Sequence, residues 1–163
     1  MTGKGDFTDE EWTRLKRAPF IAGMAISLSD PGGPIEVVKE TAATLRTVTD
    51  AAQSGARGEL VGALAAEVAA ETKAHKQPLA DFRPKGALAG QEILAELAAA
   101  NAIVSAKASP EDADAYRAWL GDAAREAADA AKEGGFLGFH AVRVSEGEQR
   151  MLDKLAEVLA PPA

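Results

Sequence analysis

The groups in this 163-residue chain that could support chemistry are few: two histidines, scattered carboxylates and one amide on an apolar helix face. Cysteine is absent, which excludes disulfides, thiolate ligands and thiol nucleophiles. His75 follows Glu67 and Glu71 at four-residue spacings, so a helix would carry all three on one face. Carboxylates and an imidazole in one stripe are ligand types for a transition metal. A di-metal bundle, however, draws Glu-x-x-His from each of two helices and further inward glutamates from two more. That spacing does not occur here, and the apolar stripe Val61, Leu64 and Val68 points to a different side of the same helix. The stripe is therefore expected to be a solvated acidic face that holds no metal.

The second histidine lies in Gly134–Ser145, Gly-Gly-Phe-Leu-Gly-Phe-His-Ala-Val-Arg-Val-Ser. Each glycine in a helix interior costs about 1 kcal/mol relative to alanine, and three fall here within five residues. Helix formation is thus disfavoured, yet Phe136, Leu137, Phe139, Val142 and Val144 make the segment strongly apolar. It is expected to cross the open side of a helical assembly with Phe136 and Phe139 buried. Histidine as a residue type suits proton transfer or ligation, so His140 could act as a base or ligand, with Arg143 as a nearby cation, or simply be satisfied by a backbone carbonyl. No serine nucleophile stands near His140 in sequence, and the glycines do not form a phosphate loop, since no Gly-Lys-Ser/Thr follows.

Asn101 sits on the stripe of Leu94, Leu97 and Val104. A buried amide must find partners or cost a few kcal/mol, so it is expected to fix the register of its helix or to contact a ligand. Tyr116 belongs to the apolar face of the next helix. Trp119 falls beside that face among Ala115, Ala118 and Ala123, which suggests either an indole projecting as an interface anchor or one covered within the monomer by the N-terminal helix or the Pro78–Gly86 loop.

Helices must position these residues. Thr8-Asp9-Glu10-Glu11 is a capping box, with Phe7 placed to staple onto Trp12. The helix it starts is expected to run to about Arg17, where Pro19 would end or kink it. Ile21, Met24, Ala25 and Leu28 then form a helical stripe. After Asp30-Pro31-Gly32-Gly33-Pro34, the apolar face Ile35, Val38, Ala42, Leu45, Val48 and Ala52 marks the next helix. A short connection at 54–58 precedes the helix carrying Val61, Leu64, Ala65 and Val68. Pro78 to Gly86 reads as a loop with apolar Leu79 and Phe82, and helix character resumes from Ala87 to about Lys107. Ser109-Pro110-Glu111-Asp112 supplies a cap, a proline in the first turn and acids at the positive end of the dipole. Ser145-Glu146-Gly147-Glu148 repeats the capping box before Met151, Leu152, Leu155, Val158 and Leu159.

The fold expected from this pass is all-α: one domain spanning 1–163, a bundle of six or seven mostly antiparallel helices, with 134–145 as an apolar crossing segment. Residues 1–6 are expected to fray, and 146–160 to pack as a C-terminal helix on the bundle. Aromatics make up 5% of the chain, so the core must be built from closely approaching, alanine-rich helices. The net charge of −7 argues against nucleic acid as a partner. Acidic residues precede the apolar stretch 18–28, which argues against a signal peptide, and no membrane partner is expected; a cytoplasmic location is.

In the helix from Ala87 to Lys107, apolar residues Leu88, Ile93, Leu97, Ala100 and Ile103 spread around the whole circumference. Such a helix must be central or at an interface. The function expected is thus non-enzymatic, through protein contacts, with a homodimer as the partner state and no cofactor. The alternative is a small-molecule-binding bundle or enzyme with a pocket near Asn101, Tyr116 and His140.

Overall fold

The structure is a computed structural model that describes residues 2–29, 34–54, 57–79, 81–132 and 144–163. Among them are six helices and no strand: α1 (Asp9–Ser29), α2 (Pro34–Ser54), α3 (Gly58–Lys73), α4 (Ala89–Lys107), α5 (Pro110–Lys132) and α6 (Glu146–Val158). Two short 3-10 turns, Lys4–Asp6 and Gly86–Leu88, precede α1 and α4. The chain is an all-α helical bundle. Phe136, Phe139, His140 and Arg143, with the rest of 133–143, lie outside the described residues.

α1 and α5 form the axis of the bundle, each packing against the other and against α2, α3, α4 and α6. Both helices bring small residues to the interior: Ala18, Ala22 and Ala25 of α1 and Ala113, Ala124, Ala127 and Ala128 of α5 are all buried in one core cluster. Small side chains let helix axes approach closely, and the few large ones fill what is left. Trp12, Tyr116 and Trp119 are the largest of these, at 2%, 0% and 0% exposure. At Gly23 the approach of α2 is close enough that an added Cβ would collide with the Thr44 hydroxyl. Gly147 plays the same part at the start of α6, because a Cβ there would lie 2.6 Å from the Ser29 carbonyl at the end of α1.

Three helix starts follow the sequence closely. Thr8 Oγ1 accepts from the Glu11 amide at 3.2 Å while Glu11 Oε2 accepts from the Thr8 amide at 2.8 Å. Phe7 and Trp12 complete the staple with ring centroids 5.7 Å apart. Ser145 and Glu148 make the same reciprocal pair at α6, at 3.2 and 2.8 Å. At α5, Ser109 Oγ accepts from the Asp112 amide at 3.2 Å and donates to the Asp112 carboxylate at 2.9 Å.

Two expectations about the N-terminal region require correction. α1 does not stop near Arg17; it runs through Pro19 to Ser29 as one helix. Proline deprives the Leu15 carbonyl of its usual i+4 amide donor. Tyr116 of α5 supplies the missing donor, its hydroxyl donating to Leu15 O at 3.1 Å in the buried interior. Residues 2–6 are also tied to the bundle rather than left to fray. Thr2 Oγ1 accepts from the Ser109 amide at 3.0 Å, and Lys4 Nζ reaches Glu67 at 3.0 Å.

Candidate interaction surfaces and the polar groups beneath them

The acidic stripe on α3 is a structural ion cluster. Glu67 accepts from Lys16 Nζ at 2.8 Å, from the Trp12 indole at 2.9 Å and from Lys4 Nζ. Lys16 also donates to Glu71 at 2.6 Å. Burial opposes the charge on Glu67, but the hydrogen bonds from Lys16, Lys4 and Trp12 outweigh it and lower its pKa to about 2. His75 is not part of this cluster. α3 ends at Lys73, and His75 lies exposed in the following turn with φ of 57°, so the four-residue periodicity stops before reaching it. No group of three or more potential metal ligands occurs among the described residues.

On the opposite flank of α1, Glu96 of α4 receives Arg14 Nε at 2.9 Å and Arg17 Nε at 3.1 Å, with Arg17 Nη2 bonded as well. Burial again opposes its charge, and the two guanidinium groups more than offset this, lowering its pKa. Arg17 also lies over the Phe82 ring, 5.5 Å from its centroid, which anchors the loop before α4.

Asn101 lies where three helices meet. Its Nδ2 donates to the Val158 and Ala160 carbonyls, both at 2.9 Å, satisfying acceptors at the end of α6. Its Oδ1 accepts from Arg117 Nε of α5 at 2.8 Å. Arg117 then donates to Ser105 Oγ and to Asp114, both at 2.7 Å, and Ser105 Oγ donates to the Asn101 carbonyl. One amide therefore joins α4, α5 and α6. Tyr116 points the other way, to Leu15, with burial first and the negative charge of Glu96 second pushing its pKa well up. The structure thus separates the two, and both spend their polar atoms inside the fold.

Trp119 does not project from the surface. It is fully buried beside Tyr116, with ring centroids 6.1 Å apart in an edge-to-face arrangement. At 0% exposure it is not available as a surface anchor. Nor is α4 central. With the turn before it, the span Gly86–Lys107 is long and apolar enough, by length and composition, to cross a membrane, yet only one side of it is covered. Ile93, Leu97, Ala100 and Val104 face the core, while Leu88, Gln91, Ala95, Ala98 and Ala102 face outward.

A groove of about 670 Å³ lies between α5 and α6. Its floor combines Ala118, Gly121, Ala124 and Ala128 of α5 with Leu152, Leu155 and Leu159 of α6. Asp114, Asp129, Asp153, Val144 and Pro161 also line it. Sequence reasoning missed this groove and missed Arg117. Both arise from where α6 docks, which no spacing within one helix reveals. The small residues at 118, 121 and 128 were the signal available. No family model matches the chain, and no curated protein or solved structure matches it either.

Proposed function

We propose that this protein is a non-enzymatic helical bundle that acts through protein contacts and pairs with a second copy across the outward face of α4. The observation that carries this reading is the row Leu88, Gln91, Ala95, Ala98 and Ala102, every member exposed. Its spacing of three and four residues is that of a helix–helix seam. The row carries no charge, and Leu88 is 58% exposed, which makes it the most exposed large apolar side chain described. Half-buried Leu94, Ala99 and Ile103 flank it.

The chain's net charge opposes self-association, and the uncharged row is where that opposition is weakest. The chain carries −7, so two copies that meet across an acidic helix such as α5 would set carboxylates against carboxylates. The α4 row meets itself without that repulsion, and a two-fold pairing places each residue against its symmetric counterpart. A single helix pair lies at the small end of stable interfaces, so a dissociation constant on the order of micromolar is expected.

Light scattering across micromolar to near-millimolar concentrations tests the reading. A concentration-dependent dimer is expected, and Ala98→Glu or Ala102→Glu should leave a folded monomer with unchanged circular dichroism. A wild-type protein that stays monomeric at the highest concentration overturns it. The small-molecule alternative draws no support from Asn101 and Tyr116, whose polar atoms are engaged with Arg117, Leu15 and the end of α6. Native mass spectrometry of the purified protein, looking for a co-purified ligand, checks that alternative directly.

A further inference from the structure

We propose that residues 2–7 form a releasable strap over Trp12, latched through Thr2 to the buried carboxylate of Asp112, and that the same carboxylate couples release of the strap to loosening of the first turn of α3. The segment is held at its ends rather than along its length. Residues 3–6 are exposed, and an added Cβ at Gly3 or Gly5 would meet nothing within 4 Å, so the backbone there does not pack against the bundle. At one end Phe7 packs on Trp12, and Lys4 Nζ lies over the same ring, 5.8 Å from its centroid. Beneath them Trp12 is 2% exposed. At the other end Thr2 is buried, its Oγ1 accepting from the Ser109 amide at 3.0 Å while its hydroxyl donates to Asp112.

Asp112 belongs to α5 but also serves α3. It is 7% exposed and accepts from the Ser109 hydroxyl at 2.9 Å and from the Leu60 amide at 3.4 Å. Arg57, which precedes α3, supplies no side-chain cap, so the carboxylate of another helix stands in for one. It lies at the positive ends of two helix dipoles, where an anion is favoured. Burial opposes the charge, but the hydrogen bonds from Thr2, Ser109 and Leu60 outweigh it and hold the carboxyl below its ordinary value. Gly58 makes the arrangement possible: its φ is 82°, and a Cβ there would stand 2.9 Å from Asp112 Oδ1. The Leu60 contact is long for a hydrogen bond, so it depends on how the carboxylate is oriented. Thr2 is one of the groups that orients it. Loss of Thr2 therefore frees the strap and weakens the hold on α3 in one step.

The test uses the full-length protein and two readouts. Acrylamide quenching of tryptophan fluorescence reports the strap, because Trp119 is fully buried and a new quenchable fraction belongs to Trp12. Hydrogen exchange at the Leu60 amide reports the start of α3. Thr2→Val and Asp112→Ala should each raise quenching severalfold and speed Leu60 exchange about tenfold or more, with α4 and α6 still protected. The double variant should do little more than Asp112→Ala alone, since both changes open one latch. Adding Trp12→Phe to Thr2→Val should abolish the extra quenching. Unchanged quenching in Thr2→Val, or faster strap release with Leu60 exchange unaltered, overturns the proposal. Fully additive effects in the double variant overturn it too, because they would make the two contacts independent. So does uniform loss of protection in every helix of Thr2→Val, which would show that the strap opens only with the whole bundle. Thr2→Val keeps the proposal testable even where Asp112→Ala does not fold.

Discussion

At the scale of single residues, the pair formed by Pro19 and Tyr116 shows how a local defect is repaired from a distance. Pro19 cannot donate to Leu15 O, and the Tyr116 hydroxyl donates instead from another helix. Removing that hydroxyl leaves a buried carbonyl without a donor, which costs about 1–3 kcal/mol. Tyr116→Phe should therefore lower stability by that amount in chemical denaturation. Pro19→Ala restores an amide at the right place, so Tyr116→Phe should cost much less in a Pro19→Ala background. Additive effects in this double-mutant cycle would show that the hydroxyl does not compensate for the proline. Glu67 gives a second residue-scale expectation. Its ordinary value is 4.5, and in the fold it lies at about 2. The folded state thus holds the charged form more tightly. The stabilisation is complete above the unfolded value and is lost as pH falls through the folded one, a window from about 4.5 down to about 2. Glu67→Gln should flatten the fall of the melting temperature over that window; an unchanged slope would show that other carboxylates dominate acid unfolding.

At the scale of elements, Asn101 decides how firmly α6 is held. The C-terminal helix is short and is fixed at its start by the Ser145–Glu148 box and the close approach of Gly147 to Ser29. Its end depends on Asn101 Nδ2, which serves the carbonyls of Val158 and Ala160 together. Asn101→Asp replaces that donor with a carboxylate facing two carbonyl oxygens, so it should release the end of α6 more than Asn101→Ala does. Hydrogen exchange would report this as faster exchange confined to 151–159, with α1 and α5 still protected. Uniform loss of protection in every helix would show instead that α6 and the bundle unfold as one unit. The contrast with the α4 row is useful, because Ala98 and Ala102 contribute to no contact within the bundle that charge should disturb.

At the scale of the whole molecule, the chain contains one tyrosine, and it is buried at 0% exposure. Burial first, and Glu96 second, hold Tyr116 neutral well above the ordinary value of 10.0. A raised pKa favours the neutral form in the fold, so this contribution is complete below the unfolded value and is lost as pH rises through the folded one. Tyrosinate absorbance should therefore appear together with loss of helical circular dichroism rather than before it. An absorbance rise at ordinary tyrosine pH in a protein still fully helical would contradict the buried position. This measurement reads the integrity of the α1–α5 axis, since Tyr116 sits at the contact between those two helices.

The sequence by itself determined the elements that depend on neighbours along the chain. Capping boxes at Thr8 and Ser145, the cap at Ser109 and the apolar periodicities of α2 to α6 placed the helices, because these signals act within one or two turns. The all-α class followed from them. What depends on contacts between distant residues was not legible. Pro19 looked like a terminator or a kink because its compensating donor is in α5, about a hundred residues away in sequence. Trp119 looked like a surface anchor because alanine neighbours are equally suited to exposing an indole or to making room for it inside. The circumference of α4 was recognisably apolar, but only packing decided that Ile93, Leu97 and Ala100 turn inward and that Leu88, Ala95, Ala98 and Ala102 are left uncovered. The α5–α6 groove and the inward commitment of Arg117 exist only once α6 has docked, since each is a property of the space between helices rather than of any one of them.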